Sequence, residues 1–195
     1  MYSIVELLEA YPIPEQKEKP LYNIYCDMDG VLTNFEKKFL DKLKEVGPDY
    51  YSLKDIASVS KPSDFENKFG TQEFWNFIDN IVGISFWVGM EWMPGGQELW
   101  NFISPYNPQI LTSPSRQNTS RLGKNLWVRN NIEPKPKVIF SFSADKQRYS
   151  NPYSILIDDK KSNIDQWAAK GGIALRCKNG NIGPVIQHLK DLGYE

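Results

Sequence analysis

Histidine is almost absent from the sequence: His188 is the only one among 195 residues. It falls in a C-terminal segment in which Val185 and Leu189 have helical spacing, so we expect it on a surface or half-buried helix position. A Ser-His-Asp or Cys-His hydrolase needs a histidine beside its nucleophile, and a His-rich zinc site needs several. If the protein is an enzyme, its chemistry therefore depends on carboxylates.

Cysteine is also scarce, and neither sign of charge dominates. Cys26 and Cys177 each end an apolar run, which favours buried free thiols in a reducing compartment over a disulfide. Lys and Arg total 23 against 24 for Asp and Glu, a formal net charge of −1. Such a balance provides no overall field to attract long nucleic acids or an anionic membrane surface, so neither is expected as a partner.

Long apolar runs are missing as well. The longest, over residues 81–90, is well short of the roughly 20 residues that span a bilayer. The first residues lack the basic segment of a secretory signal and carry Glu6 within their apolar stretch. We therefore expect a soluble, cytoplasmic protein.

Three regions of different character follow one another along the chain. Residues 1–20 indicate an N-terminal helix and a proline-rich linker. Residues 21–34 and 93–195 alternate short apolar runs with amphipathic segments, which predicts an α/β core: a Rossmann-like parallel sheet with helices on both faces. Residues 35–92 are rich in aromatics and lack strand-like alternation, so we expect a small, mainly helical cap inserted after the first strand.

The spacing of apolar residues and the turn signals also place the individual elements of the core. Strands are predicted over 21–26, 109–111, 138–140, 154–157 and 173–176. Helices are predicted over 35–46, 97–104, 120–130, 161–170 and 182–192.

Two carboxylates directly follow the first predicted strand. Asp27 and Asp29 are separated by one residue, so an extended backbone directs both to the same side. Gly30 then allows a sharp turn beside them. In a parallel sheet, ligands bind at the carboxyl ends of the strands. These positions are therefore the first candidates for a functional site.

The ends of two later strands carry further candidates. Thr112 and Ser113 follow the second strand and offer hydroxyl donors, while Asp158 and Asp159 follow the fourth. Carboxylates gathered at one sheet edge repel one another, and a hard divalent cation with oxygen ligands relieves that repulsion. Mg²⁺, which also binds water and substrate phosphate, fits this set best.

Each of these motifs also has an ordinary structural explanation. Asp-x-Asp-Gly is a common turn, the Asp158-Asp159 pair could cap the helix that follows it, and Thr112-Ser113-Pro114 could be a plain loop. Their occurrence in order, each directly after an apolar run in an alternating α/β pattern, favours a functional site over three unrelated coincidences.

The combination resembles the haloacid dehalogenase (HAD) superfamily of aspartate-nucleophile phosphatases. Asp27-Met28-Asp29-Gly30-Val31 is similar to its first motif, Ile110-Leu111-Thr112-Ser113 to its second and Leu156-Ile157-Asp158-Asp159 to its fourth. Pro94-Gly95-Gly96 and Lys124-x-x-Trp127-Val128 narrow the resemblance to the 5'(3')-deoxyribonucleotidases. The likeness covers roughly residues 21–177, and the aromatic region falls where the superfamily inserts its cap.

This resemblance implies a Mg²⁺-dependent phosphatase that forms an aspartyl-phosphate. Asp27 would be the nucleophile and Asp29 the general acid and base. The implied metal ligands are Asp27, the backbone carbonyl of Asp29, and the Asp158-Asp159 pair, with Asp159 favoured for direct contact. The expected substrate is a (deoxy)nucleoside monophosphate, a small molecule. A homodimer is left open.

Further residues would bind the substrate's phosphoryl group and base. Thr112 and Ser113 would donate hydrogen bonds to phosphoryl oxygens. Lys124 matches the nucleotidase pattern as the phosphate lysine, with Lys146 as the second candidate. Phe35 resembles an aromatic of the nucleotidase base pocket, and Trp87 could supply a second aromatic wall, with Phe86 beside it. Packing inside the cap is the alternative for these rings.

Two features depart from the nucleotidase pattern, and rival functions stay open. Lys160 stands where the nucleotidases usually carry arginine, and residues 1–20 have no counterpart. The alternatives are a HAD phosphatase acting on sugar phosphates or nucleic-acid ends, and a catalytically silent binding module. Retention of both Asp27 and Asp29 argues against the silent module.

Overall fold

The computed structural model describes residues 22–195. The helix and linker predicted for residues 1–20 lie outside this range. Within the range, no helix combines the length and apolar character needed to cross a membrane.

Five parallel strands form the centre of the structure, in the order β3-β2-β1-β4-β5. They are β1 (Asn23–Cys26), β2 (Gln109–Thr112), β3 (Val138–Phe140), β4 (Ser154–Asp158) and β5 (Ile173–Arg176). Cys26 pairs with Ile110 of β2 on one side and with Ile157 of β4 on the other. The chain runs outward from β1 to β3 and then returns to β4. The carboxyl ends of β1 and β4 therefore lie at the switch point of the sheet, where such folds bind ligands.

Nine α-helices and a π-helical turn accompany the sheet in the described residues. The helices are α1 (Phe35–Val46), α2 (Leu53–Ile56), α3 (Pro62–Phe69), α4 (Thr71–Asn76), α5 (Ile84–Val88), α6 (Gly96–Ile103), α7 (Asn118–Asn131), α8 (Lys161–Ala169) and α9 (Gly183–Asp191). The π-helical turn, Phe77–Val82, joins α4 to α5. Helix α1 has the predicted bounds: the Asn34 side chain accepts a hydrogen bond from the backbone N–H of Lys37 at 3.1 Å, and Gly47 follows its last residue.

Alternation along the strands directs side chains to two separate apolar layers. Ile24 and Ile155 belong to the larger core, which includes Trp127 of α7. Tyr25 and Leu156 face the opposite side and pack with Trp167 of α8. Helices therefore cover both faces of a parallel sheet, and the predicted fold class is confirmed.

Helices α1 to α5 follow β1 and precede β2 in the chain, in the region predicted to be a cap, and we refer to them as the cap. Its interior is a cluster of aromatic rings in which Phe39 contacts Phe65, Phe74 and Phe77 at centroid distances of 5.1–5.7 Å. Most aromatics of this region thus fill the cap's own core. The domain boundaries predicted at 35 and 92 stay predictions.

Helix α5 of the cap packs closely on helix α7 of the sheet layer. A Cβ atom at Gly123 in α7 would lie 2.4 Å from the Cβ of Trp87 in α5, so only glycine permits this approach. The cap is therefore joined to the helix that carries Lys124.

The scarce residue types lie where the sequence indicates. Cys26 and Cys177 are both buried and free. His188 is exposed on α9. Both cysteines lie at strand ends, but burial raises the pKa of each thiol and so disfavours the reactive thiolate.

Candidate active site

Three carboxylates converge at the carboxyl ends of β1 and β4. Asp27, Asp158 and Asp159 each offer an oxygen atom, and these atoms all lie within 4.8 Å of one another. Asp27 is 7% exposed and Asp158 is fully buried. We refer to these three residues as the carboxylate cluster. Its oxygen atoms are the donor type that Mg²⁺ prefers, so the residues present suit such an ion.

Gly30 makes room for the cluster. Its backbone has a φ of +79°, and a Cβ there would lie 2.6 Å from Oδ2 of Asp159. The turn after Asp29 therefore needs glycine for its backbone conformation and for the close approach of Asp159.

Lys146 bridges two members of the cluster. Its Nζ lies 2.8 Å from Oδ1 of Asp27 and 2.7 Å from Oδ2 of Asp158, and the residue is 1% exposed. Burial disfavours the charged amine, but the Asp27 and Asp158 carboxylates outweigh it and raise the pKa of Lys146 above its usual value. Lys146 therefore supplies a fixed positive charge inside the cluster.

One lysine does not neutralise three carboxylates. Burial, followed by repulsion from Asp27, raises the pKa of Asp158 to about 6. The same causes, in the same order, raise the pKa of Asp159 to about 7. Asp158 is raised even though Lys146 pairs with it, because burial and the Asp27 charge outweigh that attraction. The cluster therefore has an excess of negative charge that a bound cation would offset.

Asp29 is held by a second lysine instead of by the cluster. Nζ of Lys124 donates to Oδ2 of Asp29 at 2.6 Å, to Oγ1 of Thr112 at 2.8 Å and to the carbonyl oxygen of Ser113 at 2.7 Å. Lys124 is fully buried. The sequence predicts four carboxylates at one edge of the sheet. The structure brings together the side chains of the three residues in the carboxylate cluster, whereas the side chain of the fourth, Asp29, pairs with Lys124.

Both lysines that the sequence proposes as phosphate ligands thus lie in the site, at different carboxylates. Thr112 is fully buried at the end of β2, and Ser113 contributes its backbone carbonyl to Lys124. Lys160 is exposed, and its backbone N–H donates to Oδ1 of Asp158 at 2.9 Å. In this structure its amine belongs to the surface.

The two aromatic candidates pack against each other next to the site. Phe35 is half-buried, and its ring centroid lies 6.0 Å from that of Trp87 and 5.2 Å from that of Phe86. Trp87 is 1% exposed, and Nζ of Lys124 lies 5.1 Å from its ring centroid. The Trp87 ring therefore packs against the Lys124 ammonium group. Because the ring is buried in this arrangement, it has no accessible face for a base. Its role in binding a base stays a prediction.

Several polar residues of the site were not predicted from the sequence. Asn163 donates to both oxygens of Asp158 at 3.0 and 2.9 Å and accepts from Oγ of Ser143 at 2.5 Å. The hydroxyl of Thr33 donates to Oδ1 of Asp29 at 3.2 Å. Asn163 lies five residues after Asp158 and Thr33 four after Asp29, so nearness to the motifs was the available signal.

A cavity of about 790 Å³ separates the cap from the loop that follows β2. Trp75, Asn76 and Asp79 line it from the cap, and Arg116 and Gln117 from the loop. Trp75 is 37% exposed, so part of its ring is free to contact a ligand. The volume is in the range of small-molecule sites.

Together these contacts define what the site can do. Asp27 is a buried carboxylate beside the ammonium group of Lys146. Two residues on, Asp29 is paired with the ammonium group of Lys124, which also donates to the Thr112 hydroxyl. Such a set can hold an anionic group with several oxygens while a carboxylate approaches it. It also pairs a candidate nucleophile with a candidate proton donor.

No protein-family profile matches the sequence, and no curated protein sequence matches it. Solved structures do match the fold. A protein from Lactobacillus plantarum, provisionally described as a phosphoglycolate phosphatase, is 16% identical with a TM-score of 0.51, covering 87% of this chain and 98% of its own. A hydrolase from Streptococcus pneumoniae TIGR4 is 16% identical with a TM-score of 0.49, covering 85% and 98%. A HAD family enzyme from Bacteroides thetaiotaomicron, crystallised with magnesium and inorganic phosphate, is 15% identical with a TM-score of 0.47, covering 82% and 96%.

At these identities the likeness establishes a shared fold. The match to the Lactobacillus plantarum protein, which extends over nearly all of that chain, carries this conclusion. The chain therefore shares the α/β fold of that protein, and it has a carboxylate cluster at the switch point of its own sheet.

Proposed function

We propose that this protein is a Mg²⁺-dependent phosphomonoester hydrolase that acts through an aspartyl-phosphate on Asp27. The observation that carries the proposal is the site at the ends of β1, β2 and β4. There two buried lysines pair with the two carboxylates that follow β1: Lys146 with Asp27 and Lys124 with Asp29. The fold shared with a protein described as a phosphatase supports the same reaction class.

Asp27, Asp158 and Asp159 would hold the Mg²⁺ ion, together with the backbone carbonyl of Asp29. Their oxygen ligands, mutual distances and excess negative charge suit a hard divalent cation. When bound, the ion would neutralise phosphate oxygens and let an anionic nucleophile approach an anionic ester. Asn163 and Ser143 would fix the orientation of Asp158 behind it.

The reaction would proceed in two displacements at phosphorus. An oxygen of Asp27 attacks in line and the ester P–O bond breaks, leaving the phosphoryl group on Asp27. Asp29 gives its proton to the departing alkoxide, and then takes a proton from the water that attacks the aspartyl-phosphate. Inorganic phosphate leaves and Asp27 is restored. Lys124 and Thr112 would stabilise the phosphoryl oxygens, with Ser113 beside them and Lys146 balancing the charge of Asp27.

The proposed substrate is a (deoxy)nucleoside monophosphate, a small molecule that fits beneath the cap. Phe35 packs against Trp87, whose ring adjoins Lys124. The cavity between the cap and the loop after β2 carries the partly exposed ring of Trp75, on which a base could stack. The amide side chains of Asn76 and Gln117 in the same cavity favour a second candidate, a sugar phosphate, whose hydroxyls they could bind.

Hydrolysis of an aryl phosphate by the full chain with Mg²⁺ tests the reaction. Asp27→Asn should reduce the rate by at least about three orders of magnitude, since it removes the nucleophile and keeps the shape. Asp165→Asn, on the exposed surface of α8, is the matched control and should retain the wild-type rate. Absence of activity in the wild type, or full activity in Asp27→Asn, would refute the mechanism. A panel of nucleoside monophosphates and sugar phosphates then decides between the two substrate classes.

A further inference from the structure

Asp79 is a buried carboxylate that lines the cavity but has no role in the chemical steps described above. It lies in the π-helical turn between α4 and α5 and is 4% exposed. Phe77 and Ile78 immediately before it are fully buried. A carboxylate at such a position needs hydrogen-bond donors, and the identity of those donors indicates its role.

The donors come from both sides of the junction between cap and sheet layer. The indole Nε1–H of Trp87 in α5 donates to Oδ1 of Asp79 at 3.3 Å. The hydroxyl of Thr119 in α7 donates to the same oxygen at 3.4 Å. Asp79 therefore fixes the indole of Trp87 relative to α7.

Trp87 in turn adjoins Lys124. Nζ of Lys124 lies 5.1 Å from the Trp87 ring centroid, within the range of a cation–π contact. The same Nζ atom holds Asp29 at 2.6 Å and Thr112 at 2.8 Å. A continuous series of contacts thus leads from Asp79 through Trp87 and Lys124 to Asp29.

We propose that Asp79 is a positioning residue for catalysis: by holding the Trp87 indole, it sets the position of Lys124 and so of Asp29. This inference rests on the proposed phosphatase function. Asp79 acts through the Trp87 hydrogen bond and touches neither the phosphoryl group nor the metal ligands. The cap would thereby determine how well the proton donor is placed, in addition to enclosing the leaving group.

The test compares four single variants and one double variant of the full chain, with a small aryl phosphate as substrate. Asp79→Leu removes the acceptor, Asp79→Asn keeps a carbonyl oxygen in its place, and Trp87→Phe keeps an aromatic ring but removes the N–H donor. Asp55→Asn, an exposed carboxylate of the same cap, is the control. Circular dichroism confirms folding, and the two kinetic constants are measured separately.

The expected result is a loss in kcat with little change in KM. A misplaced proton donor costs about 10- to 100-fold in rate, so Asp79→Leu and Trp87→Phe should each lose that much while KM stays within about threefold. Asp79→Asn should retain most of kcat. The double variant Asp79→Leu/Trp87→Phe should be no slower than either single variant, because both remove the same hydrogen bond.

Three kinetic outcomes would overturn the proposal. They are a kcat for Asp79→Leu within about twofold of Asp55→Asn, an Asp79→Asn variant as slow as Asp79→Leu, and losses that multiply in the double variant. If Asp79→Leu does not fold, the proposal is overturned by a kcat for Trp87→Phe within about twofold of Asp55→Asn, or by an Asp79→Asn variant as slow as Trp87→Phe.

A spectroscopic measurement separates this inference from the proposed function. The Trp87 ring current shifts the NMR signals of the Lys124 ε-protons, and Asp79→Leu should move those signals whereas Asp55→Asn should not. Unmoved Lys124 signals in Asp79→Leu overturn the positioning role. If the wild type hydrolyses no phosphate ester but the signals do move, the reaction assignment fails and the structural link from Asp79 to Lys124 stands.

Discussion

Replacement of Lys146 by methionine tests the electrostatics of the carboxylate cluster without any assumption about substrate. Methionine keeps much of the side-chain volume but removes the charge bonded to Asp27 and Asp158. At 4.8 Å, the outer limit of the cluster's oxygen separations, two unit charges in an effective dielectric of about 20 repel by about 3.5 kcal/mol. Removal of one partner from a buried ion pair costs about 3–5 kcal/mol, which is the same range. We therefore expect the metal-free variant to lose about 3–5 kcal/mol of unfolding free energy at about pH 8.

The loss should depend on pH in a defined direction. Asp158 and Asp159 have folded-state pKa values of about 6 and about 7, above their ordinary 3.8. Between the unfolded-state pKa of 3.8 and these folded-state values, the folded protein keeps protons that the unfolded chain has released. The free energy of unfolding therefore falls as the pH rises from about 4 to about 7. At about pH 5 the carboxyls of the variant are protonated and repel less, so its deficit should shrink.

Urea unfolding followed by circular dichroism measures these effects, with a chelator and with millimolar Mg²⁺. Magnesium should recover more stability for Lys146→Met than for the wild type, because the variant's cluster carries one more uncompensated negative charge. Lys161→Met is the control: it breaks an exposed pair with Asp165 and should cost less than about 1 kcal/mol. Two results would refute the electrostatic role of Lys146. One is a loss of unfolding free energy in Lys146→Met no larger than that of Lys161→Met at about pH 8, and the other is a loss that does not change with pH.

Two further predictions concern the same region. Gly30→Ala should destabilise the protein and weaken Mg²⁺ binding, because its Cβ would meet Asp159 at 2.6 Å in addition to the backbone strain at φ +79°. Gly70→Ala, at φ +91° with nothing within 4 Å of the added Cβ, carries backbone strain alone, at roughly 1–3 kcal/mol. Unfolding and calorimetry of the two variants separate the two causes, and equal Mg²⁺ affinities would contradict the steric argument. The apparent affinity for Mg²⁺ should rise as the pH increases towards about 7 and then level off, because protons on Asp158 and Asp159 compete with the cation. Calorimetry in two buffers of different ionisation enthalpy should detect proton release below about pH 7, and an affinity that is constant from about pH 5 to about 8 would exclude this competition.

The sequence predicted the α/β core because its signals are local and strong. Apolar runs bounded by turn residues indicated all five strands, and Gly47 marked the end of α1. The rule that ligands bind at strand ends then selected Asp27, Asp29, Asp158 and Asp159. Backbone register alone brings such residues together once the sheet is parallel.

The sequence could not decide what the lysines do. Lys124 and Lys146 are at most 1% exposed. From sequence alone a lysine on a helix or in a turn is expected at the surface, because lysine is seldom fully buried in proteins. Which carboxylate each one meets depends on the packing of distant segments: 95 residues separate Lys124 from Asp29. Only the folded structure shows that the two lysines serve different carboxylates.

Asp79 was missed for a different physical reason. Phe77, Ile78 and Asp79 are buried in succession because the π-helical turn changes which side chains point inward. A search for the 3.6-residue period of an α-helix assigns such a residue to the surface. Irregular turns of this kind hide functional polar groups from pattern analysis.

The contact at Gly123 bears on how this protein could be re-engineered. Caps of this architecture look like exchangeable modules, since they enter and leave the sheet layer at one connection. Here the backbone next to Lys124 approaches Trp87 so closely that the position tolerates no side chain. In a chimera with residues 35–92 replaced by a foreign segment, that segment would need a side chain that fits against Gly123 as Trp87 does. Without it, α7 would move and Lys124 would move with it. The cap and the sheet layer are therefore constrained to change together, so the cap cannot be transplanted alone without disturbing the helix that carries Lys124.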